Sequence, residues 1–410
     1  MKTTLVTLLF SLAGFLSTAQ TPACGDEVIS DLQKRNRRDY DKEVRMMNER
    51  IKYYVDQYSG SNAGRPATTA SYTIPVVFHI VHPTGQGYGT GNNISYQQIL
   101  SQLNALNAAF AKNYPTYNNQ SHPVYAQNAE IQFCLASIAM PSSVSFYNGP
   151  GGIEKGVMRY ADNVLTNHQI SNADATALKA LTHPTANHFP FDKYLNIWLV
   201  SSIGGSSAGI VMGYAPRPLM ASYPLDGVVM RSDIIGDNST GNNYPLGYGL
   251  TQGKILVHEV GHYLNLMHIF EGGCAGANAA GSATDPCDLN GDMICDIEPS
   301  TTQNINCNSP VPNTCSATYA TGTTANDMIE DYMSYADDDC MNTFTQGQKL
   351  RMHATLNTFR QGLWQTSNLA ATGVIGSGGC SNATLYIDIV KPLTNYCTNT
   401  ALALSNPTTG

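Results

Sequence analysis

Apolar residues first gather at positions 5–16, preceded by Lys2 and followed by the small-residue exit Ser17-Thr18-Ala19-Gln20. The run is short for a bilayer span, so the pattern predicts a cleaved secretory signal over residues 1–20. A mixed-charge, helical stretch follows at 34–52 and closes in Ser59-Gly60-Ser61-Asn62-Ala63-Gly64, a flexible linker by composition. Residues 74–81 are almost unbroken apolar chain, with Pro75 near the start where its missing donor is tolerated, and read as a buried strand. Ser95 with Gln98 is a capping box ahead of a helix whose apolar face is Ile99, Leu103, Leu106 and Phe110. Strand patterns recur at 130–136, 195–201, 210–215 and 226–231, and a helix starts near Gly253. Thr345 with Gln348 caps a last helix facing inward through Met352, Leu356, Phe359 and Leu363. Past about Ser367 the chain turns rich in Gly, Ser, Thr and Asn, with one strand-like run at 385–390, as at the start of a small β module.

Composition sharpens this outline. The chain has 410 residues, a formal net charge of −8 and only 13% charged residues, which suits a secreted protein and argues against nucleic-acid binding. No stretch beyond the signal is long and apolar enough to predict a transmembrane segment. Positive charge is concentrated early, at Lys34, Arg35, Arg37, Arg38, Lys42, Arg45, Arg50 and Lys52, whereas from Pro66 onward 12 basic residues face 22 acidic ones. Two readings of the leader stay open: a segment that docks on the acidic body, or a solvated, charge-laced helix. Ten cysteines fit an oxidising compartment, and six of them crowd the Gly-, Asn- and Asp-rich chain between Cys274 and Cys340.

The chemistry lies in His258-Glu259-Val260-Gly261-His262-Tyr263-Leu264-Asn265-Leu266-Met267-His268. On a helix His258 and His262 are one turn apart and project from one face toward one ion, while Glu259 is rotated off that face to hold a water beside the metal. For His268 to join them the helix must stop after Leu264 and turn sharply at Asn265, the best residue after Gly for a left-handed helix end. Three protein ligands leave a tetrahedral zinc one open position, the mark of a catalytic site.

This signature, followed by Asp331-Tyr332-Met333-Ser334-Tyr335, resembles the metzincin zinc peptidases, and within them the pappalysin family. The likeness runs over about residues 70–362 and includes Tyr194-Leu195-Asn196-Ile197-Trp198, Gly213-Tyr214-Ala215, Asp226-Gly227-Val228-Val229 and Cys340-Met341-Asn342-Thr343-Phe344. It implies an α+β fold of the metzincin type. A mixed twisted sheet and helices would form the upper subdomain, above an irregular, disulfide-rich lower one. It implies Met333 in a turn beneath the metal, Tyr335 beside it, and an edge strand at Gly213, Tyr214 and Ala215 that pairs with extended substrate. The implied activity is hydrolysis of protein or peptide substrates beside a zinc Lewis acid, with Glu259 as general base and Tyr335 supporting the oxyanion. A calcium site would include Asp292 or Asp296, although the family's usual segment is altered there and a solvated acidic loop is the open alternative. The resemblance further suggests the pairs Cys307–Cys340 and Cys287–Cys315, which leaves Cys274 for Cys295; Cys380 and Cys397 bracket the β module and could pair.

The expected organisation is a signal at 1–20, a propeptide at 21–65, a catalytic domain at 66–366 and the start of a β module at 367–410. Cys24 stands alone in the propeptide, followed by Gly25, which permits a close backbone approach to a metal. A thiolate there could occupy the open zinc position, making the propeptide an intramolecular inhibitor; an ordinary disulfide is the alternative. With Cys24 on zinc and Cys134 reduced in its strand, the other eight cysteines can form four pairs. Asp337-Asp338-Asp339 follows Tyr335; in the metzincins that turn helps form the pocket for the residue after the scissile bond, so the resemblance implies that Asp339, held by a disulfide at Cys340, favours Arg or Lys there, three solvated loop acids being the open alternative. On that preference Gly64-Arg65 is a natural self-cleavage point. The rival from another class is a catalytically weak secreted adhesin on the same fold, which a peptidase assay with and without chelator separates.

Overall fold

The computed structural model describes residues 22–59, 72–112, 128–205, 210–218, 223–278, 280–301, 307, 311–315 and 326–374. The expected signal, the linker with Arg65, the run at 385–390, and Cys380 and Cys397 lie outside these residues.

The unbroken apolar run at 74–81 becomes the middle of the sheet because both of its faces are covered. The strand is Tyr72–His82 (β2). Ile74, Val76, Phe78 and Ile80 enter one hydrophobic core, while Val77 and Val81 enter two others on the opposite face. That split is the period-2 alternation of a strand buried on both sides. With Pro22–Cys24 (β1), Ile131–Leu135 (β3), Val157–Ala161 (β4), Leu195–Val200 (β5), Ile210–Tyr214 (β6) and Gly227–Arg231 (β7), it forms a seven-stranded sheet in the order β1-β6-β7-β5-β2-β3. β4 continues along the edge of β2 that β3 begins, pairing Phe78 to His82 after β3 has paired Tyr72 to Val76. Every pairing is parallel except β6 against β7, so β6 and the β1 strand beside it run opposite to the rest. The mixed sheet and the helices on it are the α+β architecture expected.

Asp26–Asn36 (α1) and Tyr40–Ser59 (α2) split the leader into two helices. Tyr96–Phe110 (α3) packs Ile99, Leu103, Leu106 and Phe110 onto the sheet, as its periodicity predicts. Its capping box is only half formed: Ser95 accepts from Gln98 N at 3.2 Å, but the Gln98 side chain donates to Ile235 O at 2.7 Å. Asn172–Thr182 (α4) and β4 have weak apolar periodicity and were not anticipated. Lys254–Tyr263 (α5) begins where expected, with Gly253 at φ +68°.

Gln346–Thr358 (α6) carries the complete box. Thr345 Oγ1 accepts from Gln348 N at 3.0 Å, and Thr345 N donates to Gln348 Oε1 at 2.8 Å. The chain breaks at Phe359, so Leu363 belongs to the short helix Gln361–Trp364 (α7) rather than to α6. Arg360 at the break donates to Tyr263 O at 2.9 Å and, with two nitrogens, to Asp226, tying α6 to the end of α5. Thr366–Ala371 (α8) still belongs to the body, since Ser137 and Ile138 N both donate to Thr372 O.

The leader does dock, mostly through apolar contact. Met47 and Ile51 of α2 bury against Ala354 of α6, and Ile29 of α1 enters the core behind the sheet. Most of its basic residues face solvent; Arg37 is half-buried and pairs with Glu43, and the Lys52 amine lies 2.8 Å from Asp288. Both readings of the charge pattern therefore describe part of it.

Between α5 and α6 the chain is irregular and crosslinked, and two expected disulfides are corrected. Cys307 pairs with Cys340 as anticipated, but Cys287 pairs with Cys295 and Cys274 with Cys315. Gly291 and Met293, at φ +63° and +60°, fold the segment back so that Cys295 meets Cys287 eight positions earlier. Cys134 is also corrected: it is disulfide-bonded, to a partner outside the described residues.

Asp296, a suggested calcium ligand, caps α6. Its Oδ1 accepts from Thr345 Oγ1 at 2.8 Å and its Oδ2 from Gly347 N at 2.7 Å. We expect Asp296→Ala to lower unfolding stability by about 1 kcal/mol, the usual worth of a helix cap. The loss should be the same in calcium-loaded and calcium-depleted denaturant titrations, and a loss seen only with calcium would restore a ligand role.

Candidate metal centre

The helix α5 ends as its sequence requires. Asn265 takes φ +71°, its N–H donates to His262 O at 2.8 Å, and Leu266 N donates to Gly261 O at 2.9 Å. These are the two bonds of a Schellman ending, which turns the chain back within three residues. His268 thereby joins His258 and His262, all three buried.

His258 Nδ1 lies 2.7 Å from Tyr332 O and His262 Nδ1 lies 2.9 Å from Leu266 O. A carbonyl only accepts, so each Nδ1 carries the proton and each Nε2 is a bare lone pair. These nitrogens converge with that of the third ring: His262 Nε2 is 3.1 Å from His258 Nε2 and 3.1 Å from His268 Nε2. Around a tetrahedral zinc with bonds of about 2.0–2.1 Å, two nitrogens stand about 3.3 Å apart. Burial pushes His258 down to about 3 and lowers His262 and His268 as well, so the rings are held neutral, the form that binds a metal. Cys24 brings a fourth donor, and the ligand atoms of Cys24, His258, His262 and His268 all lie within 4.8 Å of one another. The donor set fits one zinc ion.

Cys24 is buried, and it is the free cysteine among the described residues. Its Sγ is 3.5 Å from Glu259 Oε2, and its N–H donates to the Tyr335 hydroxyl at 3.2 Å. Burial foremost, then the charges of Glu259 and Asp26, hold the thiol up. Burial likewise raises Glu259, whose Oε1 has no partner among the described residues. A cation at the converging nitrogens would reverse this, because a coordinating thiol is deprotonated outright. Tyr335 packs its ring edge-on to His268, with centroids 4.9 Å apart.

Met333 is buried beneath α5, and Gly261 makes room for it: a Cβ there would come 2.4 Å from the Met333 sulfur. The glycine inside the histidine signature thus serves the Met-containing turn, a role its position in the motif does not reveal. Gly213 plays a similar part on β6, where a Cβ would meet Glu259 Cγ at 2.9 Å.

The edge strand is occupied in this state. Cys24 pairs with Gly213 and Ala23 with Val211, parallel to β6, and Gly25 N donates to Gly213 O at 2.8 Å. Gly25 is needed for this approach to Tyr214 and Val211 rather than to a metal, since a Cβ would stand 2.9 Å from Tyr214 Cβ. Tyr214 points into the core behind the sheet, its hydroxyl 2.7 Å from His168 Nε2, and Ala215 is buried beyond it. Asp26, just past the cysteine, is paired with Arg217 at 2.7 Å; neither residue was singled out by the sequence.

The acidic run divides three ways. Asp338 is buried and accepts from Gln252 N at 2.8 Å, and Asp339 is bound by the Gln252 side chain. Asp337 is the acid that lines a cavity of about 70 Å³ beside Glu259, with Leu250, Ile255, Ala336 and Met341. Asp339 is therefore corrected as the pocket acid, because Gln252 holds it elsewhere.

A family model described as pregnancy-associated plasma protein-A, of the M43 peptidases, matches residues 181–357. An extracellular metalloprotease of Podospora anserina is 32% identical over 309 residues, covering 74% of this chain and 80% of that protein. One from Arthroderma otae is 27% identical over 296 residues, covering 72% and 81%. Among solved structures, a mutant of Tannerella forsythia promirolysin matches with a TM-score of 0.58 and 25% identity, over 83% of this chain and 97% of that one. Mature mirolysin in complex with a cleaved peptide matches with a TM-score of 0.51 and 26% identity, over 74% and 98%.

Proposed function

The chain belongs to the pappalysin family of metzincin zinc metallopeptidases, and on that premise we propose a secreted endopeptidase held latent by its own leader. In this reading His258, His262 and His268 hold the catalytic zinc, and Cys24 fills the remaining position until the leader leaves. The observation that carries it is the convergence of those four donors beside Glu259. The relatives named extracellular metalloproteases support export, and the described residues contain no helix long and apolar enough to cross a membrane.

Held by His258, His262 and His268, a zinc ion would supply the Lewis acidity needed at the scissile carbonyl and at the attacking water. Glu259, with one oxygen unpartnered among the described residues, takes the proton of the attacking water and returns it to the leaving amine. The Tyr335 hydroxyl now accepts from Cys24 N; once the leader has gone it can donate to the oxygen that gains charge. The backbone of β6 from Val211 to Gly213, paired with the leader here, becomes free to pair with an extended peptide. Calcium enters this reading only at Asp292, whose buried Oδ2 has no partner among the described residues.

The decisive test is Glu259→Ala in the matured enzyme. Peptide turnover should fall about a hundredfold or more while zinc content, read by elemental analysis, stays at that of wild type. Near-normal, chelator-sensitive hydrolysis by this variant would remove Glu259 from the mechanism.

Latency is tested separately. Cys24→Ala should let the uncut precursor hydrolyse peptide about tenfold or more faster than the wild-type precursor, since the fourth donor is gone. Equal latency in the two precursors would assign inhibition to the rest of the leader.

Asp337 in the cavity beside Glu259 supports a preference for Arg or Lys after the scissile bond. Asp337→Asn should reduce the Arg-to-Leu ratio in a peptide-library profile by about tenfold. A wild-type enzyme that cuts before Arg and Leu equally well would end this part of the proposal.

A further inference from the structure

Arg217 lies two residues past Ala215, where the chain leaves the edge strand, and it is buried against the leader. Its Nη2 is 2.7 Å from Asp26 Oδ2, and the side chains of both partners are almost wholly buried. Arg217 holds Asp26 below the usual carboxylate range against the burial that would raise it. Glu271, three residues past His268, is the other carboxylate that feels this guanidinium.

The leader occupies the cleft, running parallel to the edge strand. Its backbone lies along β6, Cys24 sits among the three histidines, and Asp26 two positions on meets the guanidinium. A buried arginine left unpaired when that carboxylate departs is a strong incentive to take up another, because a desolvated charge is tolerable only when paired. Asp26 Oδ1 and Arg217 Nε are each buried without a partner among the described residues, so the present pairing does not exhaust either group. A carboxylate seated more squarely could engage the guanidinium through two parallel bonds.

We infer that Arg217 is a specificity-determining residue whose guanidinium, covered by Asp26 in the latent form, binds an acidic side chain of the substrate in the matured enzyme. The inference deepens the endopeptidase reading and rests on it: the leader would be not only a metal-blocking thiol but a mimic of an acidic substrate subsite. The same contact then has two uses, docking the leader before maturation and selecting peptides after it. The competing occupant is Glu271, which would satisfy Arg217 from within and leave no preference.

The experiment uses matured enzyme and a set of fluorogenic peptides that differ only in carrying Asp or Asn at one position, scanned over both sides of the scissile bond. At one position wild type should favour Asp over Asn by about tenfold to a hundredfold in kcat/KM, the range of a charge-assisted hydrogen bond. In Arg217→Gln that ratio should fall to near one, and because it is a ratio within one enzyme, any general loss of activity cancels. If wild type cuts every peptide but shows no Asp preference, the inference is overturned while the endopeptidase reading stands, and Glu271 is the occupant. A preference that survives in Arg217→Gln overturns it equally. If wild type cuts no peptide, the underlying reading fails and takes the inference with it. Should Arg217→Gln not fold, synthetic leader peptides of residues 22–36 are compared as inhibitors of wild type. The Asp26→Asn form should bind at least about tenfold more weakly, and equal inhibition would overturn the assignment.

Discussion

Three buried imidazole nitrogens are gathered in one cluster, His262 Nε2 3.1 Å from each of the other two, and the bare lone pairs of His258 and His262 repel unless a cation lies between them; much of this chain serves to hold them there. Two of the rings are fixed by carbonyls that only an N–H can satisfy, one from the turn after α5 and one from the chain just before Met333. The turn depends on a left-handed Asn265, whose carbonyl is itself held by the buried Arg351 at 2.7 Å. Remove any of these supports and the nitrogens can move apart, relieving the repulsion at the expense of the site. A cation bound at these nitrogens would relieve that repulsion, so the surrounding packing favours one there.

The same logic explains how the leader binds. A sheet edge at the rim of a cleft offers unpaired backbone donors and acceptors, and β1 satisfies them while delivering a sulfur to the nitrogens. The Asp26–Arg217 pair lies at one end of this contact, and the apolar seam of Met47 and Ile51 against α6 anchors the leader well away from the metal. Apolar burial supplies affinity without direction, whereas the strand pairing and the ion pair set the register. Loss of the thiol alone would leave the other contacts in place, which separates inhibition by ligation from inhibition by occupancy.

Local patterns were legible because they depend on neighbours in sequence. The apolar run of β2, the caps of α3 and α6, the helical spacing of His258 and His262, and the turn at Asn265 each follow from a few adjacent residues. β4 and α4 carry little periodicity, and the sheet edge that β4 completes exists only because β3 stops short along β2. The disulfides show the limit most plainly. Cysteine spacing allows many pairings, and the choice of Cys287 with Cys295 comes from two left-handed residues between them.

By itself, then, the sequence determined the histidine signature with its glutamate, the turn that recruits His268 and the lone cysteine of the leader, since each is a short-range constraint of helix geometry or ligand chemistry. Tertiary structure decided what depends on distant segments meeting. It set Asp296 on a helix cap, and gave Asp338 and Asp339 to Gln252 while leaving Asp337 at the cavity. It also fitted Gly261 to Met333 and brought Asp26 to Arg217, 191 positions away. Side chains of one type are interchangeable along a chain, and only the packing that brings their partners together tells one carboxylate from the next.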